Sequence, residues 1–193
     1  MLNFFKNVFK KGELRRRIIF TLGMLFVFRL GAAITIPSIN ADALTAGATN
    51  TGILGIMNVL GGGMLERFSI FSLGVSPYIT ASIIIELLSM DVIPVLAQWQ
   101  KEGNTGKKKK DKVTRYVTLI LAAVQGGSLT YAYDNMYNIL NSSSVWTYAY
   151  VIVVMMAGSM LAMWIGDQIT QKGIGNGTSL LIFTGIVSSL PAN

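Results

Sequence analysis

VWTYAYVIVVMMAGSMLAMWI, residues 145–165, runs for 21 positions without a charged side chain. A hydrocarbon core of about 30 Å is crossed by roughly 20 apolar residues in helical form. This stretch is therefore long enough to span a bilayer as a helix. The rest of the composition agrees. Charged residues make up 13% of the 193-residue chain, against about 25% in soluble proteins. They are clumped, which leaves long stretches with none. A soluble domain with so little charge would aggregate, so the predicted class is an all-α polytopic membrane protein.

Working outward from 145–165, four more spans are predicted. Residues 18–36, IIFTLGMLFVFRLGAAITI, hold one charge, Arg29, and stop at Pro37. That run is too long for the apolar core of a signal peptide, and no small-residue cleavage site follows it. Residues 74–90 hold Gly74 and Pro77 near their start, where the regular helix is predicted to begin, and residues 116–133 form the third span. Residues 174–190 open with glycines and close at Pro191. Short loops on the cytoplasmic side collect Lys and Arg. Lys6, Lys10, Lys11, Arg15, Arg16 and Arg17 precede the first span. The loop 91–115 holds Lys101, Lys107, Lys108, Lys109, Lys110, Lys112 and Arg115, and Lys172 lies between the last two spans. The amino terminus is thus predicted to be cytoplasmic. Trp146, Tyr148 and Tyr150 at one end of 145–165, and Trp164 at the other, suit interfacial belts.

Composition excludes several chemistries. The chain has no His and no Cys, so imidazole bases, thiolate nucleophiles and His or Cys metal sites are absent. Asp91, Asp134 and Asp167 sit at span edges rather than paired inside. Ser76, Ser82 and Ser179 have no accompanying base. Gly173, Gly175 and Gly177 lack the strand and the GK[ST] sequence of a phosphate loop. No enzyme, cofactor or metal is predicted. The Lys107–Lys110 tract could bind nucleic acid or lipid phosphate, but a basic run beside a span is first a topology determinant, and its place between two spans argues against specific DNA binding.

Two features do not fit a plain bundle. Residues 37–74 are too apolar for an ordinary exterior loop. Their apolar run 53–60 would reach only about 12 Å as a helix before Gly61, Gly62 and Gly63 break it. Both a re-entrant helix and an amphipathic helix on the outer surface fit this pattern. Arg29 lies about 16 Å into its span, where an unpartnered Arg costs roughly 2.5–3.5 kcal/mol. Glu86, at similar depth on the second span, is a candidate partner; backbone carbonyls are the alternative.

Longer motifs bring a resemblance into view. FSIFSLGVSPYITASIIIELL (68–88) and WIGDQITQKGIGNGTSLLIFTGIVSSLP (164–191) resemble the SecY family of protein-translocation channel subunits. VFRLGAAITIPSIN in the first span and TRYVTLILAAVQ (114–125) are similar to the same family. The resemblance implies the amino-terminal half, spans one to five, of an inverted-repeat channel in the bacterial cytoplasmic membrane. It implies a plug over about 53–67, with Leu60, Gly61, Gly62 and Gly63 near its tip. It implies an apolar pore ring of Val75, Ile79 and Ile182, and a lateral gate bearing Thr80 and Gln125. It implies as partners the half with spans six to ten, SecE, SecG, the SecA ATPase, the ribosome, signal peptides and nascent chains. One departure is Gly106, Lys107, Lys108 and Lys109, where the family often has an Arg pair after the glycine. Charge is kept there, but the bidentate geometry of Arg is lost. The rival class is a small-solute secondary transporter, which also uses broken helices. Its usual deep carboxylates are here reduced to Glu86.

Overall fold

The computed structural model of the chain describes residues 12–37, 39–40, 63–64, 67–90, 92–140 and 144–189. Six helices are found among them: α1 (Gly12–Ala32), α2 (Ser76–Ser89), α3 (Pro94–Lys101), α4 (Asn104–Tyr137), α5 (Val145–Lys172) and α6 (Gly177–Ser189). No strand forms among the described residues. Extended backbone is limited to isolated antiparallel bridges, Thr35 opposite Ser69 and Ile39 opposite Leu140.

The helices turn the soluble pattern inside out. On α1, Ile19, Leu22, Phe26, Val27 and Leu30 are exposed, while Thr21 and Phe28 are buried. On α4, Tyr116, Ile120, Val124 and Tyr131 face outward, and Thr114, Thr118, Ala122 and Thr130 are buried. Small and hydroxyl-bearing residues at helix contacts, with large apolar ones outside, are the packing pattern of membrane bundles. The buried threonines of α1 and α4 donate to carbonyls of their own helix, whereas the buried Ser159 hydroxyl of α5 has no such bond. Thr118 donates to the Thr114 carbonyl at 2.7 Å, and Thr130 to the Gly126 carbonyl at 2.7 Å. Among the described residues, α5 is by itself long and apolar enough to cross a membrane. α2 and α3 pass that test only jointly, across a bend of 94°.

α2 has 14 residues, about 21 Å of helix, and is short of a full span. Residues 67–75 are irregular, yet Phe68, Ser69, Phe71, Ser72, Leu73 and Val75 are buried. Their amides bond locally: Ser69 to the Met64 carbonyl at 3.1 Å, Ser72 to Ser69 at 2.9 Å, and Gly74 to Phe71 at 2.7 Å. Gly74, at φ +54°, makes the turn that starts the helix. Pro77 follows in the first turn, where its missing N–H is not needed. Phe68 holds a positive φ of 44° without being glycine, which costs about 1–2 kcal/mol. It is held by full burial and an edge-on contact with Tyr133, ring centroids 5.2 Å apart.

The stretch 91–115, expected as a basic cytoplasmic loop, has helical structure of its own. Most of it is helical: α3 fills 94–101, and α4 begins at Asn104 and runs for 34 residues, about 51 Å. Lys is a good helix former, so the helix continues past the point where hydropathy ends. Pro94 opens α3 in its first turn, and Gly103, at φ +67°, turns the chain into α4. α4 ends on Asn138 in the left-handed conformation (φ 49°), a common helix stop.

Two contacts bring backbones together. A Cβ added at Gly158 of α5 would lie 1.9 Å from the Ile70 carbonyl oxygen. One added at Gly177 of α6 would lie 2.0 Å from the Gly166 carbonyl oxygen. The start of α6 is capped by Asn176, whose Oδ1 accepts from the Thr178 N–H at 3.0 Å. Thr170 Oγ1 accepts from the Gly177 N–H at 2.9 Å and so ties α6 to α5.

Gly158→Ala is expected to destabilise the full-length protein by about 1–3 kcal/mol, the usual cost of overpacking. The check is the thermal midpoint of the purified complex in detergent. Gly23→Ala is the comparison, because a Cβ there meets nothing within 4 Å and its midpoint should not fall. Equal losses at the two positions would remove the backbone contact as the explanation.

Candidate functional site

A cleft of about 540 Å³ lies between α2, α4, α6 and the turn before α2. Its lining includes Val75, Ile79, Thr80, Gln125, Leu181 and Ile182, with Phe28, Met64, Leu73 and Leu129. All three residues expected for the apolar ring therefore face one space, as do both residues expected for the gate. Val75 caps α2 and is buried; Ile79 lies one turn on, and its N–H bonds to the Val75 carbonyl at 3.0 Å. Ile79 and Ile182 are half-buried and pack on the core cluster of Phe28, Phe71, Val75 and Leu181. Phe28 stacks on Phe71 with ring centroids 5.0 Å apart, which backs the wall beneath Val75. The Thr80 hydroxyl donates to the Ser76 carbonyl at 3.1 Å. Branched side chains around a narrow passage are hard to wet.

Of the expected plug tip, Leu60, Gly61 and Gly62 lie outside the described residues. Gly63 is described at φ +74°. Met64 beside it is buried and reaches the cleft lining. Sequence reasoning missed Met64, Phe28, Leu129 and Leu181 as lining residues. For Phe28, Leu129 and Leu181 the only signal is helical spacing of apolar residues, which any packed helix shares; Met64 lies in a turn.

Arg29 and Glu86, expected at similar depth, separate toward opposite ends. Arg29 is in the last turn of α1, where a cation suits the helix dipole. Glu86 is three residues from the end of α2 and sits 3.8 Å from Lys110 of α4, largely exposed. The depth estimate failed because α2 starts at Ser76 and is short, so Glu86 falls at the charged end of the bundle. Two further ion pairs sit there, Lys109 with Glu102 at 2.9 Å and Arg115 with Asp167 at 3.0 Å. Lys109 also lies 5.9 Å from the Trp99 ring centre. Burial pushes the carboxyl of Asp167, beyond the stretch 145–165, up from its ordinary value, while the Arg115 guanidinium draws it back. A second cavity, about 490 Å³, is polar. It is lined by Tyr78, Ser82 and Glu86 of α2, Trp99 of α3, and Lys107, Lys110, Asp111 and Thr114 of α4. No group of three or more carboxylates able to hold a metal ion occurs among the described residues.

With the fold and the cleft described, comparison with known proteins is direct. The family model for SecY matches residues 69–193. The protein translocase subunit SecY 1 of Lactobacillus kefiranofaciens subsp. kefiranofaciens is 45% identical over 194 residues, covering 100% of this chain and 45% of that protein. The protein translocase subunit SecY of Bacillus subtilis (strain 168) is 45% identical over 193 residues, covering 99% of this chain and 44% of its own length. The chain thus spans a little under half the length of these curated relatives. Among solved structures, Sec61 in the canine ribosome-channel complex from the endoplasmic reticulum matches with a TM-score of 0.63 and 18% identity, over 90% of this chain and 36% of that one. A solved protein-conducting channel matches with the same TM-score and coverage. Since the family model covers more than half of the sequence, the chain belongs to the SecY family.

Proposed function

We propose that the chain is the amino-terminal half of a protein-conducting channel subunit of the bacterial cytoplasmic membrane. One observation carries the proposal: Val75, Ile79 and Ile182, from two separate elements, converge on one apolar cleft whose walls also bear Thr80 and Gln125. The relatives support it, being named protein translocase subunits. In this account the cleft is half of a pore, and the other half, spans six to ten, closes it. The apolar ring forms a collar that deforms around an unfolded polypeptide and resists ion flow when empty. The segment 53–67 is the plug, which sits against the collar from outside when no chain passes. α2 and α4 form one side of a lateral gate through which signal sequences and membrane helices reach the lipid.

The membrane arrangement follows from charge. Five segments span the bilayer, and the end of the bundle holding Lys107–Lys110, Arg115 and Lys172 is cytoplasmic. The outward apolar faces of α1 and α4 support lipid contact there. The chain performs no catalysis in this account; the work comes from the SecA ATPase or from the translating ribosome. SecE and SecG complete the complex. The solute-transporter alternative loses ground, because Glu86 pairs with Lys110 at the charged end instead of lying deep in the bundle.

Ile79→Gly combined with Ile182→Gly in the full-length protein is expected to raise the resting ion conductance of the reconstituted complex. Planar-bilayer recording checks this, and a closed channel as tight as wild type would sink the ring assignment. Deleting residues 53–65 is expected to make the resting channel leak ions while secretion continues. Unchanged conductance with lost insertion would instead give that segment a structural role.

A further inference from the structure

α4 ends in a carboxylate that joins three parts of the chain. Asp134 is buried. Its Oδ1 accepts from the Leu140 N–H at 3.2 Å, and its Oδ2 accepts from the Tyr148 hydroxyl of α5. The turn held in this way is itself a ledge. The Asn40 N–H donates to the Ile139 carbonyl at 2.8 Å, and Ile39 lies opposite Leu140. Asn40 belongs to the extended chain leaving α1, and that chain holds the stretch before α2. The Ile36 N–H donates to the Phe68 carbonyl at 3.0 Å, and the Ile70 N–H to the Ile34 carbonyl at 3.0 Å. Tyr133, next to Asp134, packs on Phe68 as well. Val75 follows five residues after Ile70. None of Asp134, Leu140 and Tyr148 lines the cleft, so any effect of the carboxylate on the ring is indirect.

We infer that Asp134 is a positioning residue for the apolar ring: by clamping the 139–140 turn to α5, it fixes Asn40 and, through the chain that bonds at Ile36 and Ile34, the turn that carries Val75. The inference rests on the channel account above. A carboxylate suits the task because its two oxygens accept from two donors on different segments, and burial makes each unmade bond costly. Leu at this position keeps the size and loses both acceptors. Asn keeps Oδ1 for the Leu140 N–H and can donate to the tyrosine oxygen.

The test is resting conductance of the full-length complex in planar bilayers, with Asp134→Leu, Asp134→Asn and Tyr148→Phe. Asp134→Leu is expected to raise it severalfold, Tyr148→Phe less, and Asp134→Asn least. Rescue by the conservative variant separates positioning from general loosening: Asp134→Asn keeps the Leu140 contact and should stay close to wild type. A tight Asp134→Leu channel overturns the inference, and so does an Asp134→Asn channel that leaks as much as Asp134→Leu. If Asp134→Leu yields no folded complex, Tyr148→Phe, which removes the α5 contact alone, carries the test: a channel as tight as wild type overturns the inference. The Ile79→Gly, Ile182→Gly variant, measured alongside, tells the two failures apart. If it leaks while the Asp134 and Tyr148 variants do not, only the clamp is wrong. If it is tight, the ring goes and the clamp with it.

Discussion

Backbone that is neither helix nor strand must satisfy its own amides when water is absent, because each unmade bond in an apolar setting costs several kcal/mol. The turn at 67–75 is where this constraint bears hardest. Six of its nine residues are buried, and it sets where α2 begins. Three sources meet its needs. Local bonds serve Ser69, Ser72 and Gly74, the extended chain after α1 serves Phe68 and Ile70, and α5 walls it off by bringing Gly158 against the Ile70 carbonyl. Each source depends on a particular residue type: a glycine on α5 for approach, a glycine at position 74 for its positive φ, and a proline at 77 that needs no donor. Val75, proposed for the ring, is the last residue of this turn, so its place in the cleft depends on this backbone bonding as well as on the packing of its buried side chain.

The fold class was legible because charge is scarce, and 145–165 in particular has none. The sequence also showed which end of the bundle is basic. It did not show that α4 extends through its lysines, since a hydropathy pattern ends where apolar residues end, while helical hydrogen bonding does not. α3, only eight residues long, is too short to declare itself against the charged stretch around it. Glu86 was misjudged for a related reason: depth counted along an assumed full-length span fails when the helix is short and its missing turn is irregular. Within the cleft, Val75 and Ile79 share a face by their spacing of four, but nothing in periodicity links them to Ile182 on another helix. That link came only from the resemblance to the SecY family. Asp134 could be read as lying at the edge of a span, and no more, because its partners are a backbone amide six residues on and a tyrosine on the next helix.

The two walls of the cleft are held by interactions of different kinds. Ile182 stands on α6, whose first residue meets α5 backbone to backbone at Gly166 and Gly177, with Thr170 bonded across the junction. Ile79 and Thr80 stand on α2, which packs through side chains such as Ala81 and Ile85. Near its last turn α2 is joined to α4 by the loose pair of Glu86 and Lys110, and an exposed pair of this kind adds about 0–1 kcal/mol at most. A backbone contact admits almost no alternative geometry, because any shift meets a carbonyl within van der Waals range. Side-chain contacts can be exchanged by rotamer changes of modest cost. The α6 wall is thus held by a backbone junction with α5, and the α2 wall by the buried turn at its Val75 end together with side-chain packing along its length.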